Sequence, residues 1–181
     1  MSPSVFERTR LTARPMSAGD TDAVHALMSD PLVMRHYPRP WTRDECIRWV
    51  EHNQRLYEER GLGLWMLTLR ADGSVAGDCG LTIQRIEDED EIEIGYHLVP
   101  ELWGRGLASE AARATRDRAF AELGLARLVA IIAPTNEPSA NVARAIGMRL
   151  EREMEWHGRP QRIFALDRGS IGGRFRNLPA V

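Results

Sequence analysis

EIEIGYHLVPELWGRGLASEAARA, residues 91–114, decides how the chain reads. Its first nine residues alternate in polarity and predict a strand over 91–99, closed by Pro100. Two glycines and then alanines follow. Ala108, Ala112, Ala119, Phe120 and Leu123 keep to one side of a helix over 105–123, with Gly124 as the residue that ends it. The first amides of a helix have no intrahelical acceptor, and the helix dipole places positive partial charge there. Small residues let that backbone come close to a ligand. The opening therefore suits a phosphate or pyrophosphate, and Arg105 could add a direct contact. The same small residues also serve close helix–sheet packing, and the stretch alone does not separate the two uses. A dinucleotide fingerprint would need a third glycine at position 109, where Ser109 stands. It would also need an acid ending the next strand, which instead runs into Ala133 and Pro134. No GKS or GKT of a Walker loop follows.

Working outward, LTARPM (11–16) predicts a strand. Ser17 to Asp20 has capping-box spacing, and Val24, Leu27 and Met28 give one apolar helix face that ends at Pro31. Thr42 to Glu45 is a second capping box. Cys46, Trp49, Val50, Leu56 and Tyr57 continue one face until Gly61. Strands are predicted over 62–70, 74–86 and 91–99, with turns at 71–73 and 87–90. ARLVAIIA (126–133) is a strand buried on both faces, a short helix spans about 138–146, and two strands fall near 149–157 and 160–166. The order β-α-α-β-β-β-α-β-α-β-β predicts an α+β (mixed α/β) single domain, without the strict alternation of a doubly wound fold. That domain spans residues 1–168, and 169–181 form a loose Gly- and Arg-containing tail.

The 181 residues are 43% hydrophobic and 28% charged, the composition of a soluble globular chain. A net charge of −2 gives no reason to expect nucleic acid or an anionic membrane as a partner. No run approaches the ~18 apolar residues of a membrane span. Cys46 and Cys79 make no CxxC, and with the five histidines they form no zinc spacing, so no metal is expected. The start, MSPSVFERTR, lacks the apolar core of a signal peptide, and the expected setting is cytoplasmic.

EIGYHLVPELWGRGLASEA, followed by NEPSANVARAIGM, resembles the GNAT superfamily of acyl-CoA-dependent N-acetyltransferases. The resemblance is nearest to the branch with the ribosomal-protein-alanine N-acetyltransferases, and it covers roughly residues 10–167. The family motif, Gln or Arg, two residues, Gly, one residue, then Gly or Ala, falls on Trp103, Gly104, Arg105, Gly106, Leu107 and Ala108. Trp103 departs from Gln or Arg, so the implied contact rests on the backbone amides of 104–109, Ser109 included. The resemblance implies acetyl-CoA as cosubstrate, with its pyrophosphate on those amides. It also implies a largely antiparallel mixed sheet, splayed between the fourth and fifth strands, with helices on both faces. Backbone groups of Leu98 and Val99 would pair with the pantetheine arm in the splay, and an N–H at or near Leu98 would hold the oxyanion.

Attack of an amine on a thioester needs a base, because most free amines are protonated at neutral pH. Glu93 shares a strand face with Gly95 and His97, and it matches the place of the glutamate that serves as base in many members of the superfamily. His97 is the alternative base. Asn136 and Ser139 match an Asn-two-residues-Ser pattern. Asn136 would bond the pantetheine amide, and Ser139 would lie near the sulfur as a proton donor. The same residues also make an ordinary helix start. Many members use a tyrosine of this helix as the acid. The tyrosines here, Tyr37, Tyr57 and Tyr96, all lie outside it. Tyr37, Pro38 and Trp41 fall where the family builds its acceptor wall, with Trp156 and His157 as rim candidates. The expected activity is acetyl transfer to a primary amine, a peptide N-terminus or a small molecule, by direct attack in a ternary complex. The alternative is a non-catalytic acyl-CoA-binding sensor on the same fold. A homodimer is compatible with either and has no sequence feature behind it.

Overall fold

The computed structural model describes residues 4–170. One eight-stranded sheet runs in the order β1-β2-β3-β4-β5-β6-β8-β7. The strands are β1 (Phe6–Glu7), β2 (Leu11–Pro15), β3 (Gly63–Leu69), β4 (Val75–Ile86), β5 (Glu89–Leu98), β6 (Arg127–Ile132), β7 (Arg149–Trp156) and β8 (Arg159–Asp167). All neighbours are antiparallel except β5 and β6, which are parallel and register at one pair, Glu93 with Val129. Four helices cover the sheet: α1 (Thr21–Met28), α2 (Arg43–Arg60), α3 (Leu107–Ala121) and α4 (Glu137–Ala145).

Local chemistry sets the helix ends. Thr42 caps α2: its hydroxyl accepts from the Glu45 N–H at 3.3 Å, while the Glu45 carboxylate accepts from the Thr42 N–H at 2.8 Å. Such a cap contributes about 1 kcal/mol. Gly61, left-handed at φ 66°, ends the helix. At Ser17 and Asp20 the box closes from the carboxylate side, Asp20 Oδ2 accepting from the Ser17 N–H at 2.7 Å and its hydroxyl at 2.8 Å; it surrounds a 3-10 turn, so α1 starts only at Thr21. Asp20 also takes the Arg14 guanidinium at 2.6 Å, which ties β2 to that turn.

One face of the sheet packs Leu64 and Met66 against Met16, Val24, Met28, Cys46 and Val50 of the α1–α2 layer. On the other face Ala111, Ala112, Ala119 and Phe120 of α3 and Ala140 and Ala143 of α4 meet Cys79, Leu81 and Ile94. The alanines let α3 lie close to the strands. β2 stops pairing at Pro15, opposite Trp65, and leaves Leu64 without a strand neighbour on that side. Side chains of α2 replace the strand. Asn53 Oδ1 accepts from the Leu64 N–H at 2.6 Å, and the Tyr57 hydroxyl donates to the Leu64 carbonyl.

The structure departs from the expected elements at three places. β1 adds a two-residue strand whose only partner is β2, too short to carry a sequence period. The turn after β4 is Glu87–Asp88 alone, with Glu87 at φ 55°, so the acidic run continues into β5. α3 begins at Leu107 because Gly104 and Gly106 are left-handed (φ 72° and 74°) and cannot be helical turns. Residues 171–181, most of the expected tail, lie outside the described residues, and Arg168–Ser170 form a 3-10 turn.

Gly77 has φ 144°, and a Cβ there would lie 2.0 Å from the His97 carbonyl oxygen. Gly77→Ala is expected to destabilise the fold by about 2–3 kcal/mol. Gly73→Ala, at a turn with open space around it, should cost about 1 kcal/mol. Urea unfolding of the two variants checks the difference.

Candidate functional site

A cavity of about 920 Å³ opens where β5 and β6 part. Its walls come from β5, the loop 102–109, the start of α4, the α1–α2 connection and the β7–β8 hairpin.

Gly104, Gly106, Leu107, Ala108 and Ser109 form one end. Glu110 is the first amide of α3 with a carbonyl partner, Gly106. Among the described residues no acceptor takes the amides of 104–109, and Gly106 caps the helix without a side-chain bond. Two left-handed glycines and a run of unspent helix amides fit a pyrophosphate. Arg105 is exposed beside them. Its carbonyl accepts from Arg10 Nη1 at 2.8 Å, and Arg10 also binds Glu110 through its N–H (2.9 Å) and Nε (2.7 Å). Arg10 thus clamps the loop to the start of β2.

The Val99 N–H donates to the Ala76 carbonyl at 3.1 Å. Alternation along the antiparallel ladder then turns the Leu98 and Tyr96 backbone groups away from β4, into the gap. The Leu98 N–H faces that gap. The Leu98 carbonyl already accepts from Trp103 Nε1 at 2.8 Å. Trp103, with Arg35 stacked 5.2 Å above its ring, ties the loop to the strand end.

Glu93 lines the middle of the cavity. Its Oε2 accepts from Gln84 Nε2 at 2.8 Å and its Oε1 from the Ile131 N–H at 3.3 Å. Burial pushes its carboxyl above the usual range. Gln84, the Ile131 amide and His97 pull the other way without cancelling the rise. Asn136 caps α4, its Oδ1 accepting from the Ser139 N–H at 3.2 Å, which leaves its amide NH₂ toward the cavity. Ser139 Oγ donates to the Tyr96 hydroxyl at 3.1 Å, and that hydroxyl donates to the Ser139 carbonyl at 2.8 Å. A tyrosine therefore stands at the start of α4 after all, delivered by β5. Only the three-dimensional parting of the strands brings it there.

Sequence reasoning alone does not find Asp78. It is wholly buried on β4, opposite His97, and its Oδ1 lies 2.8 Å from His97 Nδ1. His97 Nε2 lies 2.7 Å from the Tyr37 hydroxyl. Burial works to lower the His97 imidazole, but Asp78, by charge and hydrogen bond, and Glu93 outweigh it and raise it. Pro38, Trp41, Trp49, Trp156 and His157 line the end of the cavity away from α3. Trp156 Nε1 reaches the Arg85 carbonyl (3.0 Å) and Arg152 reaches Glu87 (3.4 Å), so the β4–β5 and β7–β8 hairpins lean together.

Residues 10–149 match the family model of the acetyltransferase (GNAT) domain. The chain belongs to the GNAT acetyltransferase family. YkkB of Bacillus subtilis (strain 168) is 34% identical over 161 residues, 88% of this chain and 92% of that one. The spermidine N(1)-acetyltransferase of Escherichia coli (strain K12) is 27% identical over 78% of this chain and 74% of that enzyme. The crystal structure of an acetyltransferase from Agrobacterium tumefaciens str. C58 has a TM-score of 0.79 at 29% identity, covering 92% of this chain and 95% of that one. A GNAT domain is an acetyl-CoA-dependent acyltransferase, and the mixed sheet with helices on both faces is the arrangement of these neighbours.

Substituting Gly106→Val places a branched side chain at a left-handed position in the amide cradle. Isothermal titration should show acetyl-CoA affinity reduced about tenfold or more, with the far-UV spectrum unchanged. Arg10→Ala should weaken affinity by a smaller factor, about two- to fivefold, because it loosens the loop without touching an amide.

Proposed function

We propose that the protein transfers an acetyl group from acetyl-CoA to a primary amine by direct attack in a ternary complex. The carrying observation is that one cavity holds unspent helix amides at one end and the desolvated carboxylate of Glu93 in its middle. Bound acetyl-CoA supplies a thioester carbonyl. The amides of 104–109 hold the pyrophosphate, the Asn136 side-chain amide bonds the pantetheine, and the Leu98 N–H receives the oxyanion. Val99 shapes the strand end rather than bonding the arm, since its N–H is spent on Ala76. Glu93 accepts a proton from the amine nitrogen. Its raised carboxyl makes it a better base than an exposed glutamate, and it is ionised above that raised value. Ser139 and Tyr96, bonded to each other, supply the departing thiolate with a proton. Direct attack is favoured over a covalent enzyme intermediate because both cysteines are fully buried. The Cys79 thiol bonds Thr115 at 3.3 Å and burial pushes it up to about 12.

The acceptor end constrains the amine. Among the described residues Glu93 is the sole carboxylate lining the cavity, whereas Arg35 and Arg159 both line it. Arg159 spends one N–H on the His36 carbonyl at 3.1 Å. Several tryptophans and Tyr37 supply the remaining wall. This favours one amine on an apolar or aromatic body, a peptide N-terminus included, over a polyamine, whose further ammonium groups would face guanidinium. The catalytic unit is residues 1–168, and the cytoplasm, where acetyl-CoA and reduced cysteines coexist, is its expected setting.

Glu93→Gln is expected to lower kcat about 10²-fold near neutral pH, with the dissociation constant for acetyl-CoA within about twofold of the parent. Wild-type kcat with an unchanged pH profile would remove Glu93 from the role of base. In a thiol-release screen, aromatic monoamines and peptide N-termini should exceed spermidine by about tenfold in kcat/KM. Binding of acetyl-CoA with no release across the panel would favour a sensor module instead.

A further inference from the structure

Asp78 is an anomaly in the core. It is fully buried, Oδ1 meets His97, and Oδ2 has no hydrogen-bond partner among the described residues. A half-satisfied buried carboxylate is costly, and packing alone gives no reason to keep one. Its single partner leads outward. The His97 ring bridges Asp78, at 2.8 Å, and the Tyr37 hydroxyl, at 2.7 Å, and both His97 and Tyr37 line the cavity. With Asp78 accepting from Nδ1–H, the neutral imidazole has its lone pair on Nε2. The Tyr37 O–H then donates to Nε2, and the lone pairs of the tyrosine oxygen are free for a donor in the cavity. An ammonium N–H is the complementary donor. The line of three groups starts from a charge beneath the sheet face and ends at the surface the acceptor must approach.

We propose that Tyr37, His97 and Asp78 form a proton relay that converts the bound ammonium form of the acceptor into the free amine before attack. The inference rests on the acetyl-transfer reading above. Tyr37 is the residue that touches the acceptor; His97 and Asp78 act through it as positioning residues. In the step, an N–H bond of the ammonium breaks and its electron pair stays on nitrogen. The proton passes to the Tyr37 oxygen as the tyrosine's own proton moves to His97 Nε2, giving an imidazolium paired with Asp78. Glu93 remains for the second proton, lost as the C–N bond forms. The thiolate takes its proton from the Ser139–Tyr96 pair. Over a full cycle one proton is released to solvent, from the imidazolium, and the hydroxyl pair is restored at the expense of Glu93.

The charged and titratable groups facing His97 are Asp78 from β4, Glu93 from β5 and Tyr37 from the α1–α2 connection. Asp78 and Glu93 both favour the imidazolium. The relay can accept a proton only above the raised value of His97, so the rate should fall as pH drops through it.

The experiment measures kcat/KM for an alkyl monoamine found in the thiol-release screen, from about pH 5.5 to about pH 10. It compares wild type, Tyr37→Phe and Asp78→Asn, and titrates acetyl-CoA into each. Tyr37→Phe should lower kcat/KM about 10²-fold near neutral pH, with acetyl-CoA affinity within about twofold. The defect should shrink as pH rises and the amine becomes free in solution. Asp78→Asn should move the acidic limb of the profile down by about one pH unit. A Tyr37→Phe enzyme within about twofold of wild type, or one with a defect of the same size at every pH, would overturn the relay. The Tyr37 change sits on an exposed residue and tests the idea even if Asp78→Asn does not fold. Absence of thiol release from wild type with every amine overturns the acetyl-transfer reading and the relay together; wild-type release with unaltered variants overturns the relay alone.

Discussion

The parting of β5 from β6 after a single registered pair is the constraint on which the site depends. β5 is held along its whole length by β4, so its far edge can open without loss of the strand. That edge carries unspent backbone groups at Tyr96 and the unspent N–H of Leu98, which would be costly in a closed core and become useful beside a ligand. The parting also aims two faces of one strand at one cavity. Glu93 and His97 point to the α1–α2 side, and Tyr96 points through to α4 on the other. A fully zipped sheet would keep these groups in separate layers.

Holding the gap open needs rigid walls, and each wall has its own fastening. Arg10 bolts the loop before α3 to β2, Trp103 ties the same loop to the end of β5, and the Asn136 cap fixes the first turn of α4. The amides of α3 are therefore preorganised. A ligand there does not have to order a glycine loop at the moment it binds, which is where affinity is otherwise lost. The alanines of α3 are divided between two tasks: Ala111 and Ala112 seat the helix on the sheet, and Ala108 lines the cavity. One small-residue run thus both packs the helix and lines the cavity.

What is legible in the sequence is local. The capping boxes at Ser17 and Thr42, the stop at Gly61 and the glycine opening of α3 are all decided within a few residues. Glu93, Asn136 and Ser139 can be singled out because they lie in recognisable stretches. Asp78 cannot, because its place opposite His97 depends on register. A turn spanning 87–90 would pair Ile86 with Glu91 and set Gly80 opposite His97; the observed two-residue turn pairs Ile86 with Glu89 and sets Asp78 there instead. Two residues of turn length thus separate a glycine from a buried carboxylate. Tyr96 is hidden for a related reason, since its contact with Ser139 crosses elements 43 residues apart.

The bracket that Asn53 and Tyr57 place around Leu64 fixes how the molecule can breathe. Swinging α2 off the sheet would strip both the amide and the carbonyl of Leu64 of their partners in a buried place. At Leu64 the helix takes the place of an edge strand, continuing the line where β2 stops. Of the cavity walls, the connection between α1 and α2, where Leu32 and Tyr37 are exposed, lies outside that bracket. The same segment carries the hydroxyl bonded to His97, so any displacement of that connection would also uncover the imidazole.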